Sequence, residues 1–218
     1  YDLLAVEEIE PAALGAIPAA ADVCFKTVFR EEHMVEPATA GAGFDLSDYF
    51  ANPDRYRGRF TPYLPSLTIL VNGIYWDARY PRLVTNQALG DLYAEPDQTR
   101  LRVIADISCD IEGAIECTVR ATDPGNPSFV YEPATGTTID GVEGAGPVIM
   151  AVDTLPCELP VDASTDFSRA FGPFVPALAN ADWAAPLGDS GMPPELLRAT
   201  IVYQGELTEP YRYLRKYL

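Results

Sequence analysis

Basic residues are scarce: 15 Lys and Arg stand against 32 Asp and Glu over 218 residues, giving a net charge of −17. A field of that sign repels phosphate backbones, which excludes ordinary nucleic-acid binding. Side chains that exchange protons near neutral pH are scarcer still, with one histidine, His33, and two lysines, Lys26 and Lys216. His33 lies in the charged run Arg-Glu-Glu-His and reads as an exposed residue rather than a catalyst. No apolar run approaches the roughly 20 residues of a membrane span, so no membrane partner is expected. No basic stretch followed by an apolar one opens the chain, so no secretory leader is expected, and the start at Tyr1 fits a fragment or a processed chain. The four cysteines, Cys24, Cys109, Cys117 and Cys157, form no CxxC pair, and His33 has no companion ligand. That argues against a metal site and for free thiols in a reducing compartment, with a cytoplasmic location. Also absent is G-x-G-x-x-G between a strand and a helix. Gly41-Ala-Gly43 follows no strand, and the GVEGAG run at 141–146 precedes one, the wrong polarity for a phosphate cradle.

What is present is the composition of a globular α/β domain, 48% hydrophobic and 22% charged. Residues 2–6 and 23–29 read as extended, with a short helix opened by Pro11 between them. Residues 37–43 read as loop, and 45–50 and 53–63 as short helices capped by Asp45 and Asn52. Leu67-Thr-Ile-Leu-Val71 is a continuous apolar run, as in a parallel strand covered on both faces. A second such strand spans 101–107. Thr85 caps a helix to Tyr93 between them, so strand, helix and strand form a right-handed βαβ unit. Residues 121–146, rich in Gly, Pro and Thr, read as irregular. A third buried strand spans 148–152. A long helix over 163–180, bent near Pro173 and Pro176, leads to a loop, a short helix, an extended stretch at 200–203 and a basic end.

Ligands of open parallel sheets sit at the carboxyl ends of the strands. Three segments fall there: Asn72-Gly73-Ile74-Tyr75-Trp76, Ser108-Cys109-Asp110-Ile111-Glu112-Gly113, and Asp153-Thr154-Leu155-Pro156. Pattern alone does not separate a ligand site from ordinary strand-ending turns.

Three longer motifs, NGIYWDARYPRLVT at 72–85, RVIADISCDIEGAIECT at 102–118 and AVDTLPCELPVDAS at 151–164, carry a resemblance. Over about residues 2–212 the chain resembles the lysine–ketoglutarate reductase region of aminoadipate semialdehyde synthase. More distantly it is similar to saccharopine dehydrogenase, alanine dehydrogenase and the transhydrogenase nucleotide domain. The resemblance implies an α/β fold with a Rossmann-like parallel sheet, the incomplete nucleotide domain of an alanine-dehydrogenase-like enzyme. Residues 1–160 form its later part, and 161–218 a long helix and a segment returning toward an absent N-terminal substrate domain. It implies NADP or NAD as cofactor, an amino acid and a 2-oxo acid as substrates, and leaves a homo-oligomer open.

Residue by residue, the resemblance puts Asn72, Gly73, Ile74 and Tyr75 under the cofactor. Asp106 and Ser108 lie at the strand end beside the nicotinamide, and Asp110 is the aspartate facing the active site. Asp153, Thr154, Leu155 and Pro156 close over the nicotinamide from the other side. Glu7 or Glu8 could meet a ribose hydroxyl, although a solvated surface acid is the simpler reading. The implied reaction is the reductive condensation of lysine with 2-oxoglutarate to saccharopine. A related dehydrogenase acting on another amino acid, and a non-catalytic nucleotide-binding or scaffold module, remain as alternatives. The family's proton-handling lysine and histidine belong to the N-terminal domain, outside this sequence. Asp110 could assist or orient the amine, but a lone carboxylate does not ordinarily replace them.

Overall fold

The computed structural model describes residues 6–17, 23–94 and 99–218. The chain divides into two compact units, Tyr1–Leu155 and Pro156–Leu218.

The first unit opens with two short parallel strands, β1 (Val6–Glu8) and β2 (Cys24–Lys26), in register Val6 to Cys24. Most of the strand expected at 2–6 lies outside the described residues. Pro11 starts a 3-10 helix, Pro11–Ala16. A one-turn helix, α1 (Glu31–Met34), leads into β3 (Val35–Pro37), and α2 (Leu46–Ala51) follows. Asp45 caps α2 as expected, accepting the Asp48 N–H at 2.7 Å. Asn52 caps nothing. Its amide donates to Asp48 at 2.8 Å instead.

The helix expected over 53–63 is replaced by a 3-10 turn, Pro53–Arg55, a strand, β4 (Tyr56–Gly58), and a second 3-10 segment, Thr61–Ser66. Long-range pairing overrides local propensity here. β4 lies antiparallel to β3, and the Tyr56 ring joins Phe44 and Tyr49 in a small aromatic core, with centroids at 5.8 and 5.1 Å.

The main sheet has five strands in the order β5-β6-β9-β7-β8. These are β5 (Ile69–Asn72), β6 (Val103–Asp106), β7 (Ser128–Glu132), β8 (Thr137–Asp140) and β9 (Val148–Met150). Helix α3 (Asn86–Tyr93) connects β5 to β6, with Thr85 Oγ1 capping the Ala88 N–H at 3.1 Å. β5, β6 and β9 run parallel to one another, whereas β7 is antiparallel to both β9 and β8. The sheet is therefore mixed, not the all-parallel sheet expected. The difference comes from 121–146, which forms a hairpin instead of irregular chain. Phe129, Val130 and Tyr131 are buried β-formers, and Gly136 takes the left-handed conformation (φ 69°) that closes the turn after Glu132.

Burial corrects a second expectation. Leu70, Ile104 and Ile149 point into one core with Leu64, Leu89, Leu101 and Ile115. On the opposite face Ile69 is 60% and Val71 52% exposed, so β5 is covered on one side only. A continuous apolar run does not show which of its faces is covered.

The glycine run before β9 is a packing device. The Tyr131 N–H donates to the Pro147 carbonyl at 3.1 Å, and this draws the backbone of Gly146 against β7. A Cβ at Gly146 would collide with the Tyr131 carbonyl oxygen and lie 2.9 Å from Pro133 Cδ. Gly146→Ala is expected to destabilise this unit by about 3 kcal/mol or more. Amide exchange at Tyr131 and Val148 should quicken before that at β5.

In the second unit a 3-10 turn (Leu155–Glu158, beginning on the last residue of the first) precedes α4 (Pro160–Phe171). A 3-10 segment, Gly172–Phe174, and α5 (Val175–Ala179) follow. The single bent helix expected over 163–180 is thus broken into three pieces around Pro173 and Pro176, which supply no N–H to an α-ladder. Helix α6 (Pro194–Ala199), a hairpin of β10 (Val202–Tyr203) and β11 (Glu206–Leu207), and a final 3-10 segment, Glu209–Tyr217, complete the chain. No helix among the described residues is long and apolar enough to cross a membrane.

Candidate active site

Because β5, β6 and β9 are parallel neighbours, their carboxyl ends open on one edge of the sheet. Asn72–Tyr75, Asp106–Asp110 and Asp153–Leu155 all leave the sheet at that edge. Pro156, the last residue assigned by resemblance, belongs to the second unit.

Beneath the edge lies a buried polar knot. Asp106 has no exposed surface, and its carboxylate accepts three bonds from neutral donors. Asn72 Nδ2 reaches Oδ1 at 2.8 Å, Ser108 Oγ reaches Oδ1 at 2.7 Å, and Thr118 Oγ1 reaches Oδ2 at 2.6 Å. Asn72 Nδ2 also approaches Ser108 Oγ at 3.3 Å, while Asn72 Oδ1 is buried with no donor. Hydrogen bonds to a charged acceptor are the strong kind, and a buried carboxylate needs them. In this conformation Asp106 and Asn72 offer no surface to a ligand. They tie the end of β5, the end of β6 and the chain at Thr118 into one piece.

Above the knot the loop 108–113 is strained. Cys109 and Glu112, neither a glycine, have φ of 54° and 49°. Such conformations cost roughly 1–3 kcal/mol each and persist only where the surroundings hold them. The turn closes with the Gly113 N–H on the Asp110 carbonyl at 3.0 Å. Gly113 is required for that closure, since a Cβ there would lie 2.5 Å from Asp110 Cβ. Asp110 is exposed between the two strained residues. The Cys109 thiol, half-buried, donates to the Asp106 carbonyl at 3.4 Å. Its pKa is raised chiefly by burial, with further contributions from Asp106, Asp153 and Asp110. That sensitivity places Asp153 of the third segment in the electrostatic neighbourhood of the loop.

Tyr75 is 80% exposed, with its hydroxyl on Asp77 at 3.3 Å. Gly73 has open space where a Cβ would stand, so a ligand can reach its backbone. Ile74 packs against the main core, whereas Thr154 is exposed. Glu8 is bound to Lys26 at 2.6 Å at the ends of β1 and β2. His33 is half-buried, not exposed, and its Nδ1 accepts the Arg30 N–H at 3.0 Å. That makes it part of a local cap.

Sequence reasoning missed Arg82, Glu116 and Thr118, and reached Trp76 only as the last residue of the first strand-end segment. Arg82 Nε and Nη2 donate to the carbonyls of Gly113 and Glu112 at 3.2 and 2.9 Å, and its guanidinium lies 5.6 Å from the Trp76 ring centroid. Glu116 Oε2 accepts the Asn86 N–H at the start of α3 at 2.7 Å, while Oε1 is 3.4 Å from Arg82. The contacts of Arg82 with Glu112 and Gly113 and of Glu116 with Asn86 span about 30 residues, and no local pattern announces them.

Among the described residues no group of His, Cys, Asp and Glu is arranged to hold a metal ion. All four cysteines are free. Cys117, buried in the core, has its pKa pushed up to about 12, chiefly by burial. Its thiol form therefore adds stability below pH 9, and that contribution is lost as pH rises from 9 toward 12. At pH 8, iodoacetamide is expected to modify exposed Cys24 and Cys157 first and to spare Cys117 until the protein unfolds. Peptide mass spectrometry reads the order directly.

No protein-family model matches the chain. It is 37% identical to alpha-aminoadipic semialdehyde synthase of Arabidopsis thaliana over 86% of its own length and 17% of that protein's. It is 30% identical to mitochondrial alpha-aminoadipic semialdehyde synthase of Mus musculus over 99% of its length and 25% of that protein's. It is also 32% identical, over 60% of its length and 33% of the relative's, to saccharopine dehydrogenase [NAD(+), L-lysine-forming] of Schizosaccharomyces pombe. The chain therefore spans a third or less of each of these relatives.

Proposed function

We propose, for a chain that belongs to the saccharopine dehydrogenase-like region of the alpha-aminoadipic semialdehyde synthases, that it forms one wall of a nicotinamide-dependent active site in a longer oxidoreductase of lysine metabolism. The reaction we assign to that parent protein is reduction of the imine between the lysine side-chain amine and 2-oxoglutarate. Hydride comes from NADPH or NADH, and the product is saccharopine. The observation that carries this reading is the strained, exposed Asp110 loop, held over a buried Asp106 knot at the one edge where three parallel strands end.

We assign the dinucleotide to that edge. Gly73 leaves its backbone open, Tyr75 offers an exposed ring, and Asp153 and Leu155 follow the third strand. The cofactor, when bound, supplies the hydride. Asp110 orients the substrate amine, and the chain around it fixes that carboxylate in place. The glycine-rich phosphate turn and the groups that move protons near neutral pH come from an upstream substrate and nucleotide segment of the parent chain. That segment also supplies a strand to the free edge of β5, completing a Rossmann-like sheet. Residues 1–160 make the nucleotide-binding part, and 161–218 return toward the substrate domain.

The S. pombe relative is named for forming lysine with NAD(+). The same site run in that direction oxidises saccharopine, and this is the second reading. Assays of the parent protein separate the two. NADPH or NADH oxidation that requires both lysine and 2-oxoglutarate supports the first. Saccharopine-dependent NAD reduction that is faster than the lysine- and 2-oxoglutarate-dependent oxidation of either reduced cofactor supports the second. No turnover with any of these leaves a related dehydrogenase acting on another amino acid, or a nucleotide-binding or scaffold module, as the remaining readings. The cytoplasmic location expected from the sequence is set against the mitochondrial name of the mouse relative, and fractionation of the source cells decides between them.

A further inference from the structure

We infer that Arg82 is the positioning residue of this site: its guanidinium clamps the carbonyls of Glu112 and Gly113 and so holds Asp110 in its working orientation. The inference rests on the proposed role of Asp110 and adds a residue that no part of that reading contains.

The clamp is built from four sides. Nη2 and Nε donate to two successive carbonyls, of Glu112 at 2.9 Å and Gly113 at 3.2 Å, at the end of the turn that carries Asp110. The Trp76 ring lies 5.6 Å from the guanidinium carbon, and Trp76 is itself fixed by its indole N–H on the carbonyls of Tyr80 and Pro81 at 3.1 and 3.3 Å. Glu116 bridges Nη1 at 3.4 Å to the first N–H of α3 at 2.7 Å. The backbone beside it is stitched across the same gap. The N–H groups of Leu83 and Val84 donate to the Ala114 carbonyl at 2.9 and 3.0 Å, and the Glu116 N–H to the Val84 carbonyl at 2.9 Å.

The loop needs such a clamp. Two non-glycine residues in left-handed conformation flank Asp110, so the turn relaxes unless something over-determines it. Below, the Asp106 knot fixes Ser108 and Thr118. Between those anchors, Arg82 is the side chain that holds the carbonyls of the turn. A planar fork serves here because it reaches two carbonyls at once. A lysine keeps the charge but is a single point donor on a flexible stem. At 37% exposure the Arg82–Glu116 ion pair itself contributes little, so the clamp acts through geometry.

The test uses the full-length parent protein as wild type, Arg82→Lys, Asp110→Ala and the double variant. Hydrogen–deuterium exchange of residues 107–114 is followed beside kcat and the cofactor KM. In Arg82→Lys the loop amides should exchange at least tenfold faster while β6 and α3 keep their protection. kcat should fall at least tenfold with the cofactor KM nearly unchanged. In the Asp110→Ala background the same substitution should cost less than twofold. Unchanged loop exchange, equal loss in both backgrounds, or loss of protection in β6 and α3 as well each overturns the clamp. If Asp110→Ala alone leaves kcat unchanged, the reading of Asp110 fails first. Faster loop exchange in Arg82→Lys then reduces Arg82 to a structural contact.

Discussion

Asp110→Ala in the parent protein is expected to lower turnover at saturating substrates by about 100-fold, on the order of 3 kcal/mol, with little change in cofactor affinity. The residue is exposed at the edge where three strands end, inside a turn that holds two non-glycine residues in left-handed conformation. A contact made with the reacting amine is worth most in the transition state, and its loss appears in kcat rather than in ground-state binding. Asp106→Ala makes the contrast. It leaves the Asn72 amide and the Ser108 and Thr118 hydroxyls with one acceptor fewer, so it should lower stability and activity together. Normal turnover in Asp110→Ala under saturating substrates returns that residue to the scaffold.

The isolated 218-residue chain is expected to show no turnover and to bind NADH and NADPH more weakly than about 10 μM, roughly −7 kcal/mol. Dinucleotide pyrophosphates are normally held by backbone N–H groups at a helix start after a glycine-rich turn, where the helix dipole favours negative charge. No such turn occurs in this sequence. Among the described residues β5 is an edge strand, and with Ile69 and Val71 exposed on one face it invites pairing or aggregation when the chain is produced alone. A net charge of −17 opposes an anionic ligand at long range. Calorimetry of the isolated chain beside the parent protein measures the difference. Binding tighter than 10 μM by the chain alone would mean that the phosphate cradle is dispensable or that the cleft lies elsewhere.

The strands at Ile69–Asn72, Val103–Asp106 and Val148–Met150 were legible in the sequence because each is built on three consecutive apolar residues. Thr85 marked the helix between the first two because an N-cap is a local interaction over three residues. The β7–β8 hairpin was hidden by its own glycines, prolines and threonines, which read as loop until Phe129 and Val130 find their partners in β9. β4 was hidden because Tyr56 answers to β3 and an aromatic cluster, not to its neighbours in sequence. At the site, strand-end position pointed to the segments that hold Asn72, Ser108 and Asp110, and the family resemblance added Asp106 and the individual roles. Neither told the buried members from the exposed one, since Asp106 and Asp110 differ only in what lies beneath them. Arg82 and Thr118 stayed invisible because their partners are about 30 and 12 residues away.

The most direct measurement is a crystal structure of the parent protein with its oxidised nicotinamide cofactor. The account predicts the nicotinamide ring at the carboxyl ends of β5, β6 and β9, beside the 108–113 loop. Asp110 should face the substrate side, and Asp106 should remain buried beneath. A cofactor bound at the opposite edge of the sheet, or one that leaves Asp110 in solvent with the ring elsewhere, contradicts it.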